Sequence, residues 1–300
     1  MFDLHCDTLL KIRKGGNLNS NTFDVSFDKL SVYEKAGQLF AVFNPGAFLV
    51  SDMLDIIKLL KDETESSPLS QFCITAQDYK NCTCKVAAFP SIEALGNAQD
   101  FSADRLVDFY DAGVRIASIT WNQDNHLCDG IGENKSGLTP EGRKTIENMI
   151  NINMALDVSH ISDKGFFEAA EYGDLKILAT HSNSRSVCPQ LRNITDEQFK
   201  VIKNRGGVVG LNLYTEFING TDTASISDLI CHIEHFCSLG GEKNISLGSD
   251  YDGVSTKVNG MDTCDRYFAL FNELSKLNYK DEQIRGISHE NFLGFFELMN

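Results

Sequence analysis

Phe2-Asp3-Leu4-His5-Cys6-Asp7 is the first apolar run of the chain. A β-strand sends alternate side chains to the same face, so an extended run over residues 2–7 points His5 and Asp7 together and Cys6 away. An imidazole and a carboxylate held side by side make half of a transition-metal site. Many strands contain His-x-Asp with no such role, so the pair gains weight only from what the later strands carry at their ends.

Outward from that run, short apolar strands alternate with amphipathic helices. Residues 37–43, 85–89 running on towards Ile92-Glu93, 115–120, 155–159, 176–180, 207–213 and 244–249 read as further strands. Helices are expected at 52–64, with Ser51 as N-cap and Met53, Ile56, Ile57 and Leu60 on one side, and at 102–112, with Gly113 as C-cap. Another opens at Thr139-Pro140, and another is capped by Thr195 and stops at Gly206. Residues 226–239, 281–287 and 289–298 complete the set, and residues 13–36 read as a polar connection. Alternating βα units favour a parallel sheet. Eight of them in 300 residues, with no linker or low-complexity segment, favour a single α/β domain over residues 1–300, closed as a (β/α)8 barrel of the TIM type. No Gly-x-Gly-x-x-Gly fingerprint follows any strand, which counts against a dinucleotide fold.

Composition narrows the partners. The chain has 42 acidic against 27 basic residues, a formal charge of −15, which argues against nucleic-acid and anionic-membrane surfaces and is compatible with divalent cations. Nine cysteines are scattered. Cys82-Thr-Cys84 lacks the spacer of a zinc knuckle, so reduced thiols in a cytoplasmic protein are expected. No basic segment followed by an apolar core opens the chain, no run of 18 apolar residues occurs and no lipid-anchor tail closes it.

In such a barrel reactive groups sit at the carboxyl ends of strands. There the sequence places His5 and Asp7, then Glu93, His160, His181 and Asp250. Singly, an Asp beginning a loop is usually a cap and a buried His usually hydrogen-bonded core. Together they are hard to reconcile with an ordinary core, because so many buried ionisable groups are costly without a cation. Three imidazoles with carboxylates suit zinc or another first-row metal better than magnesium or calcium.

His5-Cys6-Asp7, Ile92-Glu93-Ala94, Asp157-Val158-Ser159-His160-Ile161-Ser162, Thr180-His181-Ser182-Asn183-Ser184 and Gly248-Ser249-Asp250-Tyr251-Asp252-Gly253 resemble the membrane (renal) dipeptidase family, peptidase family M19 of the amidohydrolase superfamily. The stretch Ser186 to Asp196, containing Arg192, is similar as well, and the resemblance covers nearly the whole chain. It implies a zinc-dependent dipeptidase with two Zn²⁺ per chain, other divalent first-row metals being compatible. His5 and Asp7 would hold one ion and His160 and His181 the other, with Glu93 bridging. Two metals sharing a water or hydroxide lower its pKa and aim it at a carbonyl. Asp250 would take the proton and pass it to the leaving amine, with Asp252 as the competing choice. Arg192 would clamp the substrate carboxylate with its guanidinium fork. Tyr214 is a candidate for the pocket lining, core packing explaining it equally well. The resemblance also implies a dipeptide with a D-residue accepted at its C-terminal position, and a homodimer, although no exposed apolar stripe marks an interface.

One departure stands out. Animal members carry a histidine after the strand-four Leu-Thr, where this chain reads Ile119-Thr120-Trp121-Asn122. An indole donates one hydrogen bond and carries no charge; Asn122, Asn125 and His126 are the candidates to substitute. His232 and His235 read as packing or surface residues, and His289 as the start of the last helix. Two other functions remain open: an amidohydrolase for another or cyclic amide, which Arg192 would discriminate against, and a barrel that binds metal or peptide without turnover.

Overall fold

The computed structural model describes residues 1–133 and 135–299. Its strands are β1 (Phe2–Asp3), β2 (Ala36–Phe43), β3 (Ser70–Phe72), β4 (Val86–Glu93), β5 (Ile116–Ala117), β6 (Ala155–Asp157), β7 (Ile177–Leu178), β8 (Val209–Leu211) and β9 (Ile245–Leu247). The parallel sheet runs β7-β6-β5-β4-β2-β1-β9-β8. A single parallel bridge from Ala179 to Val209 joins its two ends. The result is the expected eight-stranded barrel, closed at β7–β8 by one pairing rather than by a ladder.

β3 is the strand the sequence hid. It lies outside the ring, with Ser70 to Phe72 paired to Val86 to Ala88, while β5 takes the same edge of β4 higher up, at Ile92. Ser-Gln-Phe is too short to display a two-residue period. Helices likewise sit close to expectation at Val50–Glu65, Pro140–Asn151, Asp196–Asn204 and Ile226–Ser238, although the first begins after Leu49, with Asp52 accepting from the Leu49 amide, and Ser51 lies inside it rather than at its cap. Thr139 Oγ1 accepts from Gly142 N with Pro140 in the first turn, and Thr195 and Gln198 form a reciprocal capping box. The last expected helices are split by a π-turn over Gly286–Glu290, which contains His289. Helices Asp163–Ala169 and Phe268–Lys276 were not anticipated, nor was the single turn Phe27–Leu30 inside the polar connection.

Two apolar layers hold the barrel. Phe2, Leu39, Phe89, Ile116, Ala155, Leu178 and Val208 form one cluster. A cluster drawing on six of the eight barrel strands, and on Val208 just before β8, is the barrel interior. Phe292, Phe295 and Phe296 of helix Asn291–Glu297 join it and seal the end where the strands begin. The larger cluster packs the outer strand faces under the helices. With the lower end plugged by phenyl rings, polar groups can gather only at the other end. There Gly210 and Gly248 bring β8 and β9 so close to β7 that a Cβ on either would lie 2.0 or 1.9 Å from the Thr180 carbonyl oxygen.

Candidate active site

Six ionisable side chains converge at the carboxyl ends of the strands. His5 and Asp7 follow β1, Glu93 ends β4, His160 follows β6, His181 follows β7 and Asp250 follows β9. The Glu93 carboxylate lies between them. Its Oε2 is 3.4 Å from His5 Nε2, and its Oε1 is 2.7 Å from His160 Nε2 and 3.9 Å from His181 Nε2. On the far side of His5, Nε2 is 3.7 Å from Asp7 Oδ2 and 3.9 Å from Asp250 Oδ1. The backbone bends sharply here: Ala94 and Asp250 sit in the left-handed region at φ 64° and 65°. For residues with a Cβ this costs about 1–3 kcal/mol each, a strain typical of functional sites.

The hydrogen bonds fix the imidazole tautomers. Thr180 Oγ1 lies 2.6 Å from Asp157 Oδ2 and 2.8 Å from His181 Nδ1. The hydroxyl has one proton, which goes to the carboxylate; it therefore accepts from His181 Nδ1–H, and the Nε2 lone pair is left free. Asn122 Oδ1, 2.9 Å from His160 Nδ1, sets the same tautomer in the second ring, whose Nε2 lies 3.3 Å from Arg192 Nη2. The two Nε2 atoms then face one another 2.9 Å apart with lone pairs toward Glu93. Two such lone pairs repel unless a cation lies between ligands. His5 Nε2 and Asp7 Oδ1 are buried without any hydrogen-bond partner. His5, Glu93 and His181 form one set of potential ligand atoms and His5, Asp7 and Asp250 another. The donor set of imidazoles and carboxylates fits zinc or another first-row divalent ion.

Crowding shifts the titration of these groups in opposite directions. Burial pushes the Glu93 carboxyl up to about 7, the neighbouring Asp7 charge adding to it. Burial works against the His5 imidazolium, but Glu93 and Asp7 outweigh it and hold the group well above its usual value. His160 and His181 are driven well below theirs by burial and by the nearby Arg192 and His5 charges. Neutral imidazoles are the ligating form. Burial also raises Asp250, with Asp7 adding to it.

Arg192 lies in the loop after β7, 7% exposed. Nη1 donates to Ser182 Oγ at 3.3 Å and Nη2 to the His181 carbonyl at 3.2 Å, while Nε has no partner. The guanidinium stands 5.4 Å above the Phe217 ring. Among the described residues no carboxylate pairs with it, an unusual state for a buried cation.

Asp250 and Asp252 separate cleanly. Asp250 faces the cluster, with Oδ2 held by Asn212 Nδ2 at 2.9 Å. Asp252 accepts from Thr8 Oγ1 at 2.5 Å, Lys11 Nζ at 2.8 Å and the Asp24 amide at 3.0 Å, tying the loop after β9 to the segment after β1. Asp252→Ala strands those donors and should lower stability by about 2 kcal/mol, measured as the urea midpoint, with cation affinity retained. Asp250→Asn should leave the midpoint unchanged or raised.

Trp121, Asn122 and Tyr214 line the cavity over the cluster. Asn125 and His126 do not: Asn125 is consumed by bonds to Asn97, the Ile119 carbonyl and the Leu127 amide, and His126 packs beside Phe101. His232 is fully buried and braces the loop after β7, accepting from Ser184 N at 3.0 Å; His235 pairs with Asp196. Sequence reading overlooked the supports. Asp157, Thr180 and Asn212 carry no role in any motif spacing, although Asp157 stands at the same offset before Ser159 as Asp3 before His5. Asp3 likewise accepts from the His5 amide, Ser249 Oγ and Tyr267 OH.

A parallel barrel with imidazoles and carboxylates converging at the carboxyl ends of its strands is the architecture of metal-dependent hydrolases. This chain belongs to the membrane dipeptidase family, peptidase family M19, whose family model matches residues 1–299. Dipeptidase 3 of Rattus norvegicus is 29% identical over 230 residues, covering 74% of this chain and 47% of that protein, so the match spans about half of that relative. The solved structure of dipeptidase AC, an M19 metallopeptidase, is 25% identical with a TM-score of 0.90, covering 99% of this chain and 97% of the other. A Rhodobacter sphaeroides metallopeptidase solved with a phosphinate mimic of L-Ala-D-Ala is 24% identical, with a TM-score of 0.87 over 99% and 98% of the two chains. No helix among the described residues is long and apolar enough to cross a membrane.

Proposed function

We propose that residues 1–300 act as one barrel unit that hydrolyses the peptide bond of dipeptides using two zinc ions. The observation that carries this reading is the Glu93 carboxylate, one oxygen turned to His5 and the other to His160 and His181. His5 and Asp7 would hold one ion, His160 and His181 the other, and Glu93 both. When bound, the pair supplies Lewis acidity at the scissile carbonyl and an acidified water.

The chain's own groups do the rest. Asn212 fixes Asp250 Oδ2, leaving Oδ1 toward the reacting centre to accept a proton from the attacking water and return it to the leaving amine. Burial raises the Asp250 pKa, which suits a group that must both take and give a proton. Arg192, buried with an unpartnered Nε, binds the substrate's terminal carboxylate and so fixes where the peptide ends. We extend the reading to a D-residue at that position, as the family resemblance implies. A panel of dipeptides, assayed with and without chelator, tests the function. Hydrolysis that chelation abolishes and zinc restores is expected; hydrolysis indifferent to chelator, or none by zinc-loaded protein, contradicts it.

A further inference from the structure

The mouth of the barrel opens into a cavity of about 480 Å³, and its two sides differ. Going round the ring of barrel strands, β2 and β7 stand four places apart in eight, directly across the mouth. Arg192 follows β7, with Phe217 beneath its guanidinium. Phe43 ends β2 on that opposite side, and Trp121, which follows β5 on the flank between, brings its ring to 5.3 Å from that of Phe43 at 54°. The Trp121 ring lies 6.2 Å from that of His160. Leu10 continues this wall.

Phe43, Trp121 and Leu10 are all half-buried and open onto the cavity. Trp121 makes no hydrogen bond among the described residues. Rings serving only as core would be sealed, as Phe40 and Phe89 are. Apolar rings left facing an open cavity beside a polar floor are the usual lining of a pocket for an apolar ligand group. A ligand whose carboxylate is held at Arg192 and whose amide crosses the histidine–carboxylate cluster must send its other end to this wall.

We propose that Phe43 and Trp121 form the subsite for the side chain of the first residue and select dipeptides in which that side chain is bulky and apolar, aromatic above all. The proposal rests on the dipeptidase reading and deepens it. Trp121 is the single tryptophan of the chain, so its fluorescence reports on this wall alone. The zinc-loaded full chain is titrated with two non-hydrolysable phosphinate dipeptide analogues that share an alanine-type second residue. One carries a benzyl first side chain and the other a methyl. The benzyl analogue should bind about 10- to 100-fold tighter, the discrimination an apolar pocket achieves over a few carbon atoms, and should quench or shift the emission more strongly. In Phe43→Ala protein, with zinc content checked, the affinity ratio should collapse towards one. Equal affinities in the unaltered chain, or a ratio that survives Phe43→Ala, overturns the subsite while leaving the dipeptidase reading standing. Failure of both analogues to bind the zinc-loaded chain overturns the dipeptidase reading and the subsite with it.

Discussion

Glu93→Gln protein should hold no more than one divalent cation per chain and hydrolyse dipeptides about 10³-fold more slowly than the unaltered chain, the scale on which loss of a preorganised electrostatic element acts. Glutamine keeps the shape and loses what matters. The two carboxylate oxygens face different imidazole groups, Oε2 toward His5 and Oε1 toward His160 and His181, and an amide offers only one acceptor in place of two anionic ones. Metal content by elemental analysis and steady-state rates on the same sample check both halves. A variant that retains two cations and ordinary rates would show that Glu93 does not join the two halves of the cluster.

Arg192→Ala should reduce kcat/KM for dipeptides by about 30-fold or more. Truncating one partner of a buried, hydrogen-bonded charge pair costs about 2–5 kcal/mol, and each 1.4 kcal/mol is a factor of ten. The loss should be confined to substrates with a free C-terminal carboxylate. Against dipeptide amides the unaltered chain should already be slow and the variant little slower, because the clamp has nothing to grip. Rates on the matched acid and amide with both proteins give the coupling directly. An equal loss on both would assign Arg192 a packing role over Phe217 and His181 and would favour an amidohydrolase of broader scope.

Much of this site could be read from the chain because the barrel places chemistry at strand ends. The period of two over residues 2–7 put His5 and Asp7 on one face, and they lie 3.7 Å apart, with Cys6 turned away into the outer core. Strand ends likewise led to Glu93, His160, His181 and Asp250. What could not be read depends on loops meeting across the molecule. Asp250 and Asp252 are both left-handed residues before a glycine or tyrosine. Its contacts with Thr8, Lys11 and Asp24, 228 to 244 positions away, are what set Asp252 apart. The hydroxyl of Thr180 orients His181 only because Asp157, 23 positions earlier, is brought beside it by the pairing of β6 with β7. Local periodicity carries no trace of either contact. β3 escaped for the opposite reason, being too short to have a period at all.

Stepwise zinc addition to chelated protein, with bound metal and dipeptide hydrolysis followed together, tests the central claim most directly. Saturation at two zinc ions per chain is expected, with activity returning as both sites fill and anomalous scattering from two neighbouring ions bridged by Glu93. Full activity in the cation-free protein, or zinc bound elsewhere than at His5, Asp7, Glu93, His160 and His181, would contradict it.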